Sequence, residues 1–331
     1  MRVAVTGSIA TDYLMVFPGR FTDQLVADRL EQVSLSFLID RLDVRRGGVA
    51  ANISYGMGAL GLRPLLVGAV GQDFDEYRSW LERGGVDTSH VRVSEERHTA
   101  RYLCTSDSMN NQIASFYSGA MAETGEIDLG VVAERAGGLD LVLVGASDPD
   151  GMIRHTQQCR DLGLPFVADF SQQIARMSGE EVASLVPGAR FLFTNEYEAG
   201  LLCEKTGWSH GDVLERVGGW MTTLGAGGAR LEAKGAAPVV VPCVPAKREL
   251  DPTGIGDAFR AGFLAALSWG VPLERAMQTG CLLATLTIEA RGPQEYLVDA
   301  AAFHRRMADA YGDDAAAEIQ PFLPAAREGT A

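Results

Sequence analysis

Short apolar runs, each ending in a polar residue or glycine, recur along the chain and constrain its fold more than any other feature. "RVAVTGS" is the first, followed by "PLLVGAV", "DLVLVGA", "PFVADF", "RFLFTN" and "WMTTLG". Helical patterns lie between them, at "GGVAANISYGMGAL", Pro149–Leu162, Gly179–Val186 and Glu196–Thr206. Strands that alternate with helices predict a mostly parallel sheet covered on both faces. Ligands of such sheets bind beyond the carboxyl ends of the strands, so the polar residues there are the first candidates for chemistry. Two stretches break the rhythm, residues 13–46 and 98–120. They carry β-favouring, alternating pieces such as "TARYLCTS" and "NQIASFY". They predict a small secondary sheet packed over the main domain as a lid. The terminal "PAAREGTA" (324–331) reads as a flexible tail.

Composition removes several function classes. A net charge of −14 argues against a nucleic-acid surface or an anionic membrane partner, although a local site can oppose the global field. The five cysteines stand apart without a C-x-x-C, which fits reduced, buried thiols in a cytoplasmic protein better than a disulfide or zinc framework. No apolar run is long enough to span a membrane, and the N-terminus lacks the apolar stretch of a signal peptide.

The most informative motif is "DPTGIGDAF". Gly254 and Gly256 permit unusual backbone and close approach to a ligand, and a helix begins directly after them. The first N–H groups of a helix are unsatisfied and carry partial positive charge, which suits phosphate. Asp257 stands in that anion hole and can take a proton from an attacking hydroxyl. The ordinary alternative is an acidic residue complementing the helix dipole. "FTNEYE" places Asn195 and Glu198 on one face at a helix start, able to contact hydrated Mg²⁺ or its phosphates, or simply to cap the helix. "TLGAGGARL" is either a loop under nucleotide phosphates and ribose or a tight turn. "GGVAANIS" puts Gly47, Gly48 and Asn52 at another loop-to-helix junction. "GMGALG" (Gly56–Gly61) matches G-x-G-x-x-G by letters. It lies within and at the end of a helix, so it is not a dinucleotide fingerprint, and Gly61 reads as a helix stop. There is no Walker motif.

The order "GGVAANIS", "NEYE", "TLGAGG", "DPTGIGDAF" resembles the PfkB/ribokinase family of sugar and nucleoside kinases, and the likeness covers nearly the whole chain. Ile255 departs from a position where that family usually has a small residue. Within the family the chain is most similar to actinobacterial adenosine kinases, through "VTGSIATDYLMVFPGRF", "LSFLIDRL", "QIASFYSGAM", "ADFSQQ" and "AYGDDAAAEI". The resemblance implies a single ribokinase-like α/β/α domain over residues 1–323 with a mostly parallel central sheet and a small β-sheet lid. It implies Asp257 as base and Gly254, Ile255 and Gly256 as the anion hole. Asn195, Thr223, Gly225 and Gly228 would contact ATP, and Asn195 and Glu198 would contact Mg²⁺ indirectly, with K⁺ a further candidate cofactor. Ser8, Asp12, Ser36, Gly48 and Asn52 would hold the acceptor's ribose, and Tyr102, Phe116, Gln172 and Gln173 would surround its base. Tyr102 replaces a phenylalanine. Asp12 can accept two hydrogen bonds from a vicinal diol, and Phe116 can stack on a purine or belong to the core of the lid.

The implied activity is ATP-dependent phosphorylation of the adenosine 5′-hydroxyl. A kinase of a free sugar such as ribose or fructose is the first alternative. A nucleoside-binding sensor without catalysis is the second, disfavoured by the intact Asp257, Asn195 and Glu198. Homodimerisation through the lid edge is compatible with such a sheet.

Overall fold

Strand residues divide alternately between two hydrophobic cores. In the computed structural model, which describes residues 1–25 and 35–325, Val3 and Val5 of the first strand pack into one core and Ala4 into the other. Leu141 and Leu143 likewise oppose Val142 and Val144, and Phe191 and Phe193 oppose Leu192. A strand buried on both faces has no polar side, which is why these segments read as continuous apolar runs.

In chain order the strands are β1 (Val3–Thr6), β2 (Ala10–Val16), β3 (Arg41–Gly47), β4 (Leu65–Val67), β5 (Ala69–Val70), β6 (Arg92–Val93), β7 (Ala100–Ser106), β8 (Gln112–Tyr117), β9 (Leu141–Val144), β10 (Phe166–Asp169), β11 (Phe191–Asn195), β12 (Trp220–Thr223), β13 (Ala229–Glu232) and β14 (Val239–Val241). The main sheet runs β14-β13-β12-β11-β10-β9-β1-β4. It is parallel from β4 to β12 and closes with two antiparallel strands. One core lies beneath helices Val49–Ala59, Ile255–Trp269, Leu273–Ile288, Ala300–Tyr311 and Asp313–Ile319. The other lies beneath Leu129–Ala136, Pro149–Asp161, Gly179–Leu185, Glu196–Thr206 and His210–Leu214. This is the expected three-layer α/β/α, ribokinase-like arrangement.

The second sheet, β3-β2-β7-β8, matches the two interrupting stretches. Its first strand begins at Ala10, three residues earlier than the sequence pattern suggested, because the chain leaves β1 and enters the small sheet almost at once. Residues 26–34 of the expected lid, and 326–331 of the expected tail, lie outside the described residues. "PLLVGAV" is not one strand: the chain turns at Gly68, so that β4 joins the main sheet and β5 pairs with β6. "GMGALG" sits within the Val49–Ala59 helix and its end. A side-chain carbon at Gly58 would lie 2.2 Å from the Gly84 carbonyl, so that glycine serves packing. Gly61 follows the helix with a φ of 87°. Among the described residues no helix is long and apolar enough to cross a membrane. All five cysteines are free thiols.

Candidate active site

The carboxyl ends of the parallel strands open into a cavity of about 700 Å³ that reaches from the small sheet to β12. Ser8 beyond β1, Ala146 beyond β9, Ser171–Gln173 beyond β10, Asn195 at the end of β11 and Thr223 at the end of β12 all line it. So do Asp12, Gly48, Asn52, Tyr102, Phe116, Glu198, Gly225 and the run Gly254–Asp257. Two expected residues do not. Ser36 is exposed and is not among the lining residues. Gly228 is also absent; a side-chain carbon there would lie 2.0 Å from the Val241 carbonyl, so close strand approach accounts for it.

The "DPTGIGD" segment is shaped for its helix. Gly254 is the N-cap residue with φ 76° and ψ 7°, left-handed backbone that glycine adopts at little cost. The helix follows as Ile255–Trp269, and no side chain caps its first turn. This helix start lines the cavity; no N-cap side chain accepts from it, and Ile255 N reaches only the Pro252 carbonyl at 3.5 Å. Behind it Phe263 meets Phe191 and Phe193 edge-on at centroid distances of 5.3 and 5.4 Å, and Phe259 meets Phe193 at 6.2 Å. These contacts give the helix a rigid, buried mount. A second helix start contrasts with this one. Asn195 caps Glu196–Thr206 in a reciprocal box: its Oδ1 accepts from Glu198 N, and Glu198 Oε2 accepts from Asn195 N, both at 2.8 Å. The capping alternative is therefore real, and it coexists with a place in the cavity wall.

Asp257 is half-buried. Burial pushes its carboxyl up from the usual 3.8 to about 7, against the lowering effects of the Arg260 guanidinium and a hydrogen bond from Asn52 Nδ2 at 2.8 Å. A carboxylate with that affinity for protons suits a general base near neutral pH. Asp12 behaves alike. Burial raises it to about 6, Arg45 opposes the rise and Asp251 adds to it. Glu198 is also raised by burial.

Three arginines in the cavity wall escaped sequence reasoning: Arg45, Arg176 and Arg260. Arg260 is 5 % exposed and Asp169, its partner, is fully buried. Arg260 Nε lies 2.5 Å from Asp169 Oδ2, and Nη2 donates to Oδ1 at 2.8 Å. The remaining nitrogen, Nη1, would lie 2.8 Å from a side-chain carbon built on Gly256, so it borders the uncapped helix start. Its spacing of three from Asp257 on one helix is the signal that could have found it. Arg45 of β3 pairs with Asp251, which ties the small sheet to the start of the glycine loop. The same wall carries Asp12, Glu198 and Asp257, so the arginines place cations beside carboxylates rather than making the cavity positive as a whole.

At the small-sheet end of the cavity, Ser8 Oγ accepts from Val49 N at 3.0 Å. Tyr102 and Phe116 are directly paired across β7 and β8. Phe116 is 41 % exposed, so it is not core of the small sheet. Gln173 Nε2 donates to the Ser147 carbonyl at 2.7 Å, which commits its amide nitrogen and leaves its oxygen as an acceptor. Among the described residues no group of three acidic, histidine or cysteine side chains could hold a metal directly.

The model of the pfkB family carbohydrate kinases matches residues 9–300, and the chain belongs to that family of phosphotransferases. Its fold matches the Burkholderia thailandensis nucleoside kinase solved with inosine, with a TM-score of 0.82 and 32% identity over 94% of this chain and 99% of that one. The same protein has been solved in complex with ADP-inosine. The nucleoside kinase of Methanocaldococcus jannaschii is 30% identical over 253 residues, 76% of this chain and 82% of that protein. The adenosine kinase of Saccharomyces cerevisiae is 28% identical over 159 residues, 44% of this chain and 47% of that protein.

Proposed function

We propose that the protein is an ATP-dependent nucleoside kinase whose acceptor is adenosine, phosphorylated on its 5′-hydroxyl to give AMP and ADP. The observation that carries this reading is the pairing of a half-buried carboxylate, Asp257, at an uncapped helix start with an exposed aromatic, Phe116, across one cavity. A free sugar needs neither a stacking ring nor the amides of Gln172 and Gln173. The nucleoside kinases among its relatives support the same class. Gln173 Oε1 is free to accept from the exocyclic amine of adenine, because its nitrogen is held by Ser147.

In this reading Asp12 and Asn52 hold the ribose hydroxyls while Tyr102 and Phe116 cover the base. Asp257 takes the 5′-hydroxyl proton as that oxygen bonds to the γ-phosphorus. The bond from phosphorus to the β–γ bridging oxygen breaks and ADP leaves. Backbone N–H groups at Gly254–Gly256 and the Arg260 guanidinium offset charge on the phosphoryl oxygens. Thr223 and Gly225 flank the nucleotide. Asn195 and Glu198 fit Mg²⁺ only through water or phosphate, since their polar groups already cap a helix. The ion, arriving on ATP, would supply charge neutralisation.

A panel of nucleosides and sugars with ATP, scored for ADP and for the phosphorylated product, tests the proposal. Adenosine should show the highest kcat/KM. A higher value for ribose or fructose would replace the nucleoside reading with the sugar one, and no ADP from any acceptor would refute kinase activity.

A further inference from the structure

A buried chain of hydrogen bonds reaches Asp257 from outside the cavity. Trp80 Nε1 donates to Gln294 Oε1 at 3.1 Å. Gln294 Nε2 donates to Asn52 Oδ1 at 2.9 Å and to the Tyr77 hydroxyl at 2.6 Å. Tyr77 donates in turn to the Gly47 carbonyl at 2.9 Å. Asn52 Nδ2 ends the chain on Asp257 Oδ2 at 2.8 Å. Gln294 is 1% exposed, Asn52 5% and Tyr77 6%. Neither Trp80 nor Gln294 lines the cavity, and Asn52 is the side chain that links them to Asp257.

The polarity of this chain has one solution. An indole N–H can only donate, so it requires the oxygen of Gln294. The nitrogen of Gln294 must then point the other way and donate. Asn52 can answer only with its own oxygen, which turns its NH₂ onto Asp257. Tyr77 gives its proton to a backbone carbonyl, an acceptor only, so its oxygen is left to receive from Gln294. Reversing the Asn52 amide would set oxygen against the Asp257 carboxylate and nitrogen against nitrogen at Gln294. The indole itself is clamped, stacked on Tyr55 at 6.0 Å with the Arg46 guanidinium 4.4 Å from its ring centre.

We infer that Trp80 and Gln294 are positioning residues for phosphoryl transfer: they fix the Asn52 amide in the orientation that donates to Asp257 Oδ2, so that the other carboxyl oxygen is presented to the acceptor hydroxyl. This rests on the kinase reading above, with Asp257 as base. The titratable groups that also face Asp257 are Arg260 on its own helix, Asp169 at the end of β10, Glu198 on the Glu196–Thr206 helix and the phenols of Tyr77 and Tyr296. None of them is altered in the test.

Gln294→Met keeps length and bulk but cannot pair with Asn52. Trp80→Phe keeps an aromatic ring but removes the donor that sets the polarity. In Gln294→Met, kcat should fall roughly 10- to 100-fold, the worth of a hydrogen bond to a charged group, with the ATP KM within about twofold of the parent and the acceptor KM raised by less than kcat falls, because Asn52 also meets the ribose. Trp80→Phe should show the same pattern more weakly. The double variant should be no worse than Gln294→Met alone, because both act on one amide. The acid limb of the kcat–pH profile should move upward in both. Carbon-13 NMR of the labelled Asp257 carboxyl should show the same upward move without turnover. Thermal unfolding checks that each variant is folded, and Trp80→Phe carries the test if Gln294→Met is not. Unchanged kcat and an unmoved Asp257 titration in a folded variant would overturn the inference. So would KM values for both substrates that rise in step with the fall in kcat, the mark of a collapsed site. A parent that makes no ADP from any acceptor would instead refute the kinase reading, and the NMR titration would still judge the geometry.

Discussion

Replacing Asp257 with Asn should weaken the enzyme and strengthen the fold at once. Asparagine keeps the size of the side chain and can still accept from Asn52, so the site's packing survives. It cannot take a proton, and loss of a general base typically costs ~10²–10⁴-fold in turnover. The stability effect follows from the same burial. The folded carboxyl titrates near 7 and the unfolded one near 3.8. Below the lower value both states are protonated and the side chain costs nothing. Between the two values the unfolded chain loses its proton first, and the cost of burying a carboxylate grows until it is complete above about pH 7. At about 1.4 kcal/mol per pH unit the ceiling is roughly 4 kcal/mol. Part of Asp257 faces the cavity, where water screens it, so about 1–3 kcal/mol is the expected gain for Asp257→Asn at pH 8.

The assay is urea denaturation of both proteins at pH 8 and pH 5.5, beside steady-state turnover with saturating adenosine and ATP. The advantage of the Asn variant should shrink by about half at the lower pH. In the parent, kcat should rise with pH through about 7 as the base ionises. The opposite sign defines failure. An acidic residue that merely complements the helix dipole stabilises by about 0.3–1 kcal/mol, so its removal would lower stability and spare turnover. A variant within tenfold of parental kcat, or less stable at pH 8, would return Asp257 to that role.

Other perturbations address the rest of the site. Phe116→Ala should weaken adenosine binding by about 1–3 kcal/mol, roughly five- to 150-fold in Kd, while any ribose activity stays level; parallel loss of both in a kinetic comparison would make the ring a prop for the sheet. Asp12→Ala should raise the acceptor KM at a cost of ~1–3 kcal/mol and leave the ATP KM nearly unchanged, with a smaller penalty on 2′-deoxyadenosine; equal penalties would remove Asp12 from the 2′-hydroxyl. Arg260→Met strands a fully buried Asp169 and should cost about 3–5 kcal/mol in urea denaturation. Adding Asp169→Leu should recover part of that stability but not turnover, whereas recovery of turnover would show that Arg260 serves only the fold.

The parts of this architecture that are local in the chain could be read from it. Apolar runs gave the strands because both of their faces are buried, and the Glu196–Thr206 helix falls where its capping residues place it. Asn195 with Glu198 three residues on is a start signal written in adjacent residues. The groups that tune the site are not local. Gln294 meets Asn52 across 242 residues, Arg45 meets Asp251 across 206, and Arg260 meets Asp169 across 91. Nothing near any of them in sequence marks the pairing. Ser36 and Gly228 failed to reach the cavity for a related reason: both rested on the family likeness rather than on their own surroundings, and Gly228 answers to its approach to β14 instead.

The two helix starts in the cavity show where local reading stops. Each lies in the cavity wall and each carries acid in its first turn, so the sequence around each reads equally as a cap or as part of a site. What separates them is the N-cap residue. Asn195 has an oxygen that reaches back to its own helix, and it uses it. Gly254 has no side chain at all, and its left-handed backbone starts the helix in the cavity wall without a side-chain cap. A glycine in that place gives up a cap worth about 0.5–2 kcal/mol against alanine for serine, threonine, asparagine or aspartate, though only a few tenths against glycine itself. The sacrifice is therefore small, and what it leaves is a positively polarised helix end beside a protonatable carboxylate and a buried guanidinium. Those three together, rather than the glycines alone, are what a transferring phosphoryl group requires.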